Sequence, residues 1–591
     1  MSARPRPPRI LTARTTRDRE CKSVACSELC ETLGKGEDPV VEMRPCFASS
    51  WIEQVRIAQQ DLVARYRVSG VGVSIYSPKG SSCGIYAIDP SEYRLNPLHT
   101  QALAEAIGAV TKIMPTDLQV NSLATVRPYI KAKGKDYLYS KLASQSGIRS
   151  APEIDLDKEA DILAEMLCKY TAGYGVLETL LEDREVQDIY IDSPSGQTPV
   201  HVVLRSDVAQ SVRQKCRTNI FIGRKDLQGF VSRVKFETGL PFSEAHPVLE
   251  ADMKRLGARV TLVSPPVSDR GVSLALRKHS RNMWTIPMLI ENGSVSPLLA
   301  SFLWACVIGR RTALIAGSRG AGKTTLLSAM ILEFPRSQRI ILIEDTPEIP
   351  TLRLQSIGFD IQPLRFYGGA NEGIASAQET LRVSLRMGES AIVIGEVRGE
   401  EAKVLYESMR AGSAGSSVIG TIHGNSAKGV LDRAVEDLGV TERAFSSTDI
   451  IVVIGLVRSP DGTRFHRQVV EVAEVREKGQ GVQLANLFEK EPGCSCAKPT
   501  ASFSAECKTL SGIANALGVT APEIMEIIKT KAHAYQVAAE IAGKGDMGVK
   551  SDADRWRVRS NEILTGYMFG PSGPESGLRR WRDWLDANEE R

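Results

Sequence analysis

The residues Gly317-Ser-Arg-Gly-Ala-Gly-Lys-Thr-Thr325 carry the spacing G-x-x-x-x-G-K-[ST]. An apolar run, Thr312 to Ala316, leads into them as a buried strand, and Lys323 to Glu333 follows as a helix closed by Pro335. A glycine-rich loop between a strand end and a helix N-terminus is an anion site. Gly317, Gly320 and Gly322 let backbone N–H groups turn inward around a polyphosphate, with Ser318, Ala321 and Thr325 completing the loop. Lys323 supplies a point charge to the terminal phosphates, and Thr324 offers a hydroxyl to Mg²⁺.

Further candidates lie just past three apolar runs. Arg339 to Ile343 is followed by Glu344-Asp345-Thr-Pro-Glu348, Ala391 to Ile394 by Gly395-Glu396-Val-Arg398, and Ser417 to Ile422 by His423. Phosphoryl transfer needs a placed water, a metal and charge neutralisation. Glu396 is the first choice to orient or deprotonate the water. Glu344 is the second carboxylate, holding water or hydrated Mg²⁺, and Asp345 can instead brace the loop. His423 could sense the terminal phosphate or be structural. Arg386 and Arg398, near the same strand, would contact phosphate, a neighbouring subunit or only surface carboxylates.

These residues need a sheet to bring their strand ends together. The runs just named, with Thr312 to Ala316 and Ile450 to Val457, read as buried parallel strands flanked by helices, with ligand-facing residues at their carboxyl ends. Ser296 is a plausible N-cap and Pro297 suits the first turn of a helix running toward Ile308.

A chain of 591 residues exceeds what one core organises. The expected divisions are a basic arm and Cys-containing segment (1–48), an α/β accessory domain (49–150), a second α/β domain (151–286), the domain carrying the glycine-rich loop (287–488) and a helical extension (489–591). In the accessory domain, helices are expected over Ser50 to Arg65 and Leu98 to Met114, with a strand pair near Tyr66 to Ile85. Helices at Asp157 to Ala172 and Lys225 to Thr238, and strands at Asp188 to Asp192, His201 to Leu204, Val260 to Val263 and Val272 to Leu276, form the second domain. Tail helices are expected at Leu510 to Leu517, Ala521 to Ala542 and Leu578 to Ala587, the last carrying Trp581 and Trp584 for packing on its own domain or docking a partner.

No stretch supplies the roughly 18 uninterrupted apolar residues of a membrane span, and no apolar signal core follows the basic start, so a cytosolic protein is expected. A formal charge of +4 is too small to imply a nucleic-acid coat. Cys21, Cys26, Cys30 and Cys46 could converge on one Zn²⁺ or remain unligated thiols; Cys494, Cys496 and Cys507 could form part of another metal site.

Four motifs together resemble those of the hexameric ATPases that drive type II secretion, type IV pili and archaella, with type IV secretion ATPases as cousins. The family's Walker A corresponds to Gly317 to Thr325, its aspartate box to Ile343 through Glu348, its Walker B to Ile392 through Gly399, and its histidine box to the stretch ending Gly420-Thr-Ile-His423. The family replaces the usual strand-end Asp of Walker B by Gly and keeps the following Glu, as Gly395 and Glu396 do here. The likeness extends upstream over Asp183 to Asp192 and Pro247 to Lys278. No C-x2-C pair follows the histidine box, which resembles the archaeal branch. The turn after Met387 reads Gly388-Glu389-Ser390 where the family has Arg-Pro-Asp.

The resemblance implies an α/β fold: a RecA-like P-loop ATPase core, a preceding smaller α/β (PAS-like) domain, and added N- and C-terminal extensions. It implies ATP and Mg²⁺, with Arg255, Arg259 and Arg277 of the N-terminal domain reaching toward nucleotide. It also implies a homo-hexamer at the cytoplasmic face of the membrane, a polytopic platform protein as partner, pilin-like subunits moved indirectly, and no nucleic acid. A nucleic-acid-stimulated motor and a non-hydrolysing nucleotide-binding scaffold are the alternatives.

Overall fold

The computed structural model describes residues 42–589 except 56–60, 79–80, 82, 111–122, 146–152, 206–214, 254, 280–282, 367–376, 389–390, 400, 412–416, 459–464, 480, 492, 495, 505–506, 544–552 and 570–572. The chain divides into two compact units, Met1–His279 and Ser280–Arg591.

The first unit contains β1 (Glu42–Met43), β2 (Trp51–Glu53), β3 (Leu62–Val68), β4 (Val71–Tyr76), β5 (Gly84–Asp89), β6 (Val186–Ile191), β7 (His201–Leu204), β8 (Lys215–Thr218), β9 (Ile220–Phe221), β10 (Val248–Met253), β11 (Ala258–Val263) and β12 (Ser273–Lys278). Nine of these form one sheet in the order β10-β11-β12-β6-β7-β8-β5-β4-β3, and β1-β2-β9 form a small second one. Because β5 pairs parallel with β8, the sheet runs across the boundary expected near residue 150. The helix expected over Ser50 to Arg65 is replaced by β2 and the start of β3. The pattern Leu-Val-Ala-Arg-Tyr-Arg-Val alternates with period two, and Trp51 stacks on Phe221 with ring centroids 3.8 Å apart, so cross-strand packing overrides the helical reading. Helices Pro97–Val110, Leu123–Gln145 and Glu153–Thr171 build a separate core around Leu103, Leu138 and Leu167. A side chain at Gly134 would meet Leu167 Cδ2 at 2.1 Å, so glycine sets how closely the last two of these helices pack.

The second unit contains β13 (Ala313–Gly317), β14 (Ile340–Glu344), β15 (Ile361–Arg365), β16 (Ala391–Val397), β17 (Val418–His423), β18 (Ile450–Arg458), β19 (Phe465–Lys478), β20 (Gly481–Glu489) and β21 (Lys498–Pro499). Their order is β15-β14-β16-β17-β13-β18-β19-β20-β21. From β15 to β18 all pairings are parallel, and β19 to β21 add an antiparallel flank. Alternate residues face opposite sides: Ile315, Leu342, Val393 and Val452 enter one core, and Leu314, Ile341, Ile392 and Val453 the other. Burial on both faces explains the unbroken apolar runs. With β13 between β17 and β18, and β16 between β14 and β17, this is the RecA-like arrangement.

The helix Pro297–Ile308 is buried at every residue from Leu299 to Val307, and Ser296 caps it by accepting from Leu299 N. The tail supplies its cover. Helices Lys508–Leu517, Ala521–Gly543, Ala553–Met568 and Pro574–Glu589 belong to the same core, with Trp581 buried and Trp584 packed against it. The helix Ala553–Met568 was not expected from the sequence. Among the described residues, no helix is long and apolar enough to cross a membrane.

Candidate nucleotide site

The phosphate loop leaves β13 at Gly317 and enters the helix Lys323–Ile331. Gly320 and Gly322 have φ of 77° and 101°, the left-handed region in which glycine is unstrained. A Cβ at Gly317 would lie 2.7 Å from Ile454 O and 3.1 Å from the Ala321 methyl. The loop therefore requires glycines in its cradle, which fits a polyphosphate approached by backbone N–H groups. Thr324 and Thr325 lie half-buried in the first helical turn. Lys323 Nζ donates to Gly317 O (3.0 Å) and Ser318 O (3.2 Å), and burial holds its ammonium below the ordinary lysine range, with Glu396 opposing.

The parallel register sets Gly317 beside His423, and the predicted residues meet there. Lys323 Nζ lies 3.3 Å from His423 Nδ1, and His423 Nε2 lies 2.7 Å from Glu396 Oε1. Because an ammonium can only donate, Nδ1 accepts and the neutral ring donates from Nε2 to Glu396. Burial and the nearby Lys323 charge keep the imidazole below its usual titration range. On the other side, Glu396 Oε2 accepts from Arg398 Nε (2.6 Å), and Arg398 Nη1 is 3.5 Å from Asp345 Oδ2. Glu401 turns back to accept from Arg398 N (2.6 Å) and Gly399 N (2.8 Å). Both oxygens of Glu396 are thus held, one by a neutral donor and one by a cation, as suits an ionised carboxylate aimed from a strand end. The pairing of β16 with β17 shifts register between Ile394 and Val397, which turns Glu396 out of the regular pleat.

Glu344 is buried at the end of β14 and accepts from Glu348 N (3.0 Å) and Ile349 N (3.3 Å), so it braces the aspartate-box turn. A Cβ on Gly395 would approach Glu344 Cγ to 2.9 Å. Glycine at the Walker B strand end is therefore the space that Glu344 fills. Burial, opposed by the two backbone donors, raises the Glu344 carboxyl from 4.5 to about 7. Such a group takes up a proton on folding between those values, so its contribution to stability falls as pH rises through that window. Glu344→Gln keeps an acceptor and removes the charge. Chemical denaturation is expected to show the variant level with wild type near pH 4.5 and more stable by up to about 3 kcal/mol at pH 8. An unchanged difference across pH would assign the dependence elsewhere.

Arg467 on β19 was missed by sequence reasoning: its Nε donates to Gly320 O at 3.0 Å. Its approach depends on the antiparallel flank, which no local motif announces. Arg386 is exposed. In the first unit, Arg259 and Arg277 sit opposite each other on β11 and β12. Each is drawn to a separate acid, Arg259 to Glu250 (2.9 Å) and Arg277 to Asp188 (3.9 Å), while Arg255 is exposed.

Cys21, Cys26 and Cys30 lie outside the described residues, and Cys46 is exposed, its thiol 3.9 Å from Thr100 O. Among the described residues, no three His, Cys, Asp or Glu side chains converge as metal ligands. The tail metal site considered for Cys494, Cys496 and Cys507 is not formed among them: Cys507 is buried and donates to Glu474 Oε1 at 3.0 Å.

A family model described as "Type II/IV secretion system protein" matches residues 174–549. An uncharacterized protein of Methanocaldococcus jannaschii is 32% identical over 261 residues, 43% of this chain and 35% of that protein. The type IV secretion system protein PtlH of Bordetella pertussis is 34% identical over 211 residues, 32% of this chain and 60% of that one. The chain thus spans between about a third and two thirds of the length of these two relatives. Among solved structures, the pilus retraction motor PilT with bound ADP aligns at 17% identity and a TM-score of 0.35, covering 63% of this chain and 93% of that one.

Proposed function

Because the chain belongs to the type II/IV secretion system protein family, we propose that it is a Mg²⁺-dependent ATP hydrolase working as a homo-hexameric motor. It would act at the cytoplasmic face of a membrane, driving a type IV pilus-like filament or protein secretion through a polytopic platform protein. The observation that carries the reading is the polar chain from Lys323 through His423 and Glu396 to Arg398 and Asp345, which joins the phosphate loop to the Walker B carboxylate. A loop that only tethered nucleotide would have no need of a carboxylate coupled to its lysine through a neutral imidazole.

In this reading the N–H groups of Gly317 to Thr325 hold the polyphosphate, Lys323 turns from its own loop carbonyls to the terminal phosphates, and Thr324 holds the ion. The ion, when bound, neutralises charge developing on the phosphoryl oxygens. Glu396 orients the attacking water and accepts its proton. His423, bonded to both Lys323 and Glu396, transmits loss of the terminal phosphate from one to the other. Glu344 acts through its turn, keeping Asp345 placed against Arg398.

Steady-state hydrolysis of MgATP across a protein concentration series tests the proposal, with Lys323→Ala alongside. Activity per chain is expected to rise with concentration as rings form, and the variant to lose ATP affinity. ATP binding without turnover at any concentration, with or without acidic lipid and membrane extract, would favour a scaffold. Salt-sensitive stimulation by DNA would favour a nucleic-acid motor.

A further inference from the structure

After His423 the chain turns through Gly424 and Asn425 into the short helix Ala427–Asp432. Ser426 caps this helix, its hydroxyl accepting from Gly429 N at 3.0 Å. The helix then widens into a π turn over Arg433–Asp437, in which Leu438 N donates to Arg433 O at 3.1 Å. A π turn shifts the side chains at its start off the regular helical stripe, and such turns gather at functional positions. Here the residue at its start is an arginine whose Nε is buried and has no hydrogen-bond partner among the described residues.

An orphaned buried donor costs about 1–3 kcal/mol, and more on a charged group. Nor is the cation's helix remote from the site: it opens just after His423, and its Ala427 N donates to Glu471 Oε2 (2.9 Å) on β19, the strand whose Arg467 reaches Gly320 O. Burial is the main cause holding Lys323 and His423 below their ordinary titration ranges, and the Arg433 charge adds a smaller push in the same direction at each. Glu396 and Glu348 oppose these cations at Lys323, and a polyanion seated in the loop would relieve their repulsion further. The phosphate loop defines what that anion is.

We propose that Arg433 donates to the terminal phosphoryl group of the bound nucleotide, supplying from the same chain a second cation beside Lys323. This rests on the nucleotide reading of the phosphate loop and adds to it a residue that distinguishes a triphosphate from a diphosphate. The π turn delivers the guanidinium, and the chain from the histidine strand end to Arg433 is ten residues, so occupancy of the phosphate position is felt at both ends of one short segment.

The test is equilibrium binding of fluorescent ATP and ADP analogues to wild type, Arg433→Ala and Arg433→Lys, with thermal melting of each protein without nucleotide. Arg433→Ala is expected to weaken ATP about 10- to 100-fold while changing ADP less than about threefold, with its melting temperature unchanged or raised because no protein hydrogen bond at Nε is lost. Arg433→Lys keeps the charge without the planar fork and should fall between. Equal loss of ATP and ADP with a lowered melting temperature would overturn the proposal in favour of a structural arginine. No change in either affinity would show that the guanidinium does not reach the phosphate. Wild type that bound neither nucleotide would instead remove the underlying reading, an outcome separate from either.

Discussion

Glu396→Gln is expected to reduce MgATP turnover by at least about a hundredfold while leaving ATP bound, because the amide cannot accept the proton of an attacking water. The geometry sharpens the expectation. Glu396 Oε1 accepts from neutral His423, and Oε2 accepts from Arg398. A glutamine can keep only one of these bonds without turning an N–H toward a donor, so the polar chain breaks on one side. Rapid-quench measurement of bound ATP, with binding measured separately, distinguishes loss of the chemical step from loss of affinity. Turnover within tenfold of wild type would move the role of water-orienting carboxylate away from Glu396.

Lys531→Ala is expected to have the largest effect on stability. Lys531 is completely buried on the tail helix Ala521–Gly543, its ammonium 4.8 and 4.7 Å from the ring centroids of Trp304 and Tyr535. It donates to Asn561, which in turn donates to Glu333 Oε2 at 2.6 Å. Lys531, Tyr535, Asn561 and Glu333 line a cavity of about 60 Å³, which Thr285 and Trp581 also line. Removing one member of such a buried charged set leaves the other uncompensated, at about 3–5 kcal/mol. Glu333, itself buried and pushed upward by burial, would be the stranded group. Denaturant unfolding should show that loss for Lys531→Ala, and a much smaller one for Lys531→Met combined with Glu333→Gln. Burial lowers the Lys531 ammonium to about 8 against 10.5 unfolded. Wild-type stability should therefore rise with pH across that window, where the unfolded chain holds more protons, and the double variant should lack the rise. If both variants lost stability equally, packing rather than charge would account for the site.

What could be read from the sequence follows from burial. The strands β13, β14, β16, β17 and the start of β18 are covered on both faces, so their composition is almost purely apolar and their ends stand out. Glu344, Glu396 and His423 could be placed at one edge for that reason, and the structure links Glu396 with His423. The flank β19 to β21 was not foreseen, because β19 mixes charged and apolar residues along its length as a partly exposed strand does. With it went Arg467. Arg433 was invisible for a different cause: its significance lies in a π turn and a missing acceptor, and a sequence shows neither. The segment from Trp51 to Arg65 was misread because short runs of mixed residues satisfy helical and extended periods alike until a partner strand decides between them.

The helix Lys323–Ile331 is followed by residues that the tail grips, Glu333 by Asn561 and Arg336 by Glu562. Phe302 packs on Phe503, and Trp304 near Phe569. The tail is therefore not a separable module: removing it would strip partners from residues of the α/β core beneath it. Asn561, Glu562 and Phe569 lie beyond the stretch matched by the family model, yet the residues they hold lie within it. A chain cut before Ala553 would leave Glu333 and Arg336 without these partners, so the cost of losing the tail would fall inside the matched stretch.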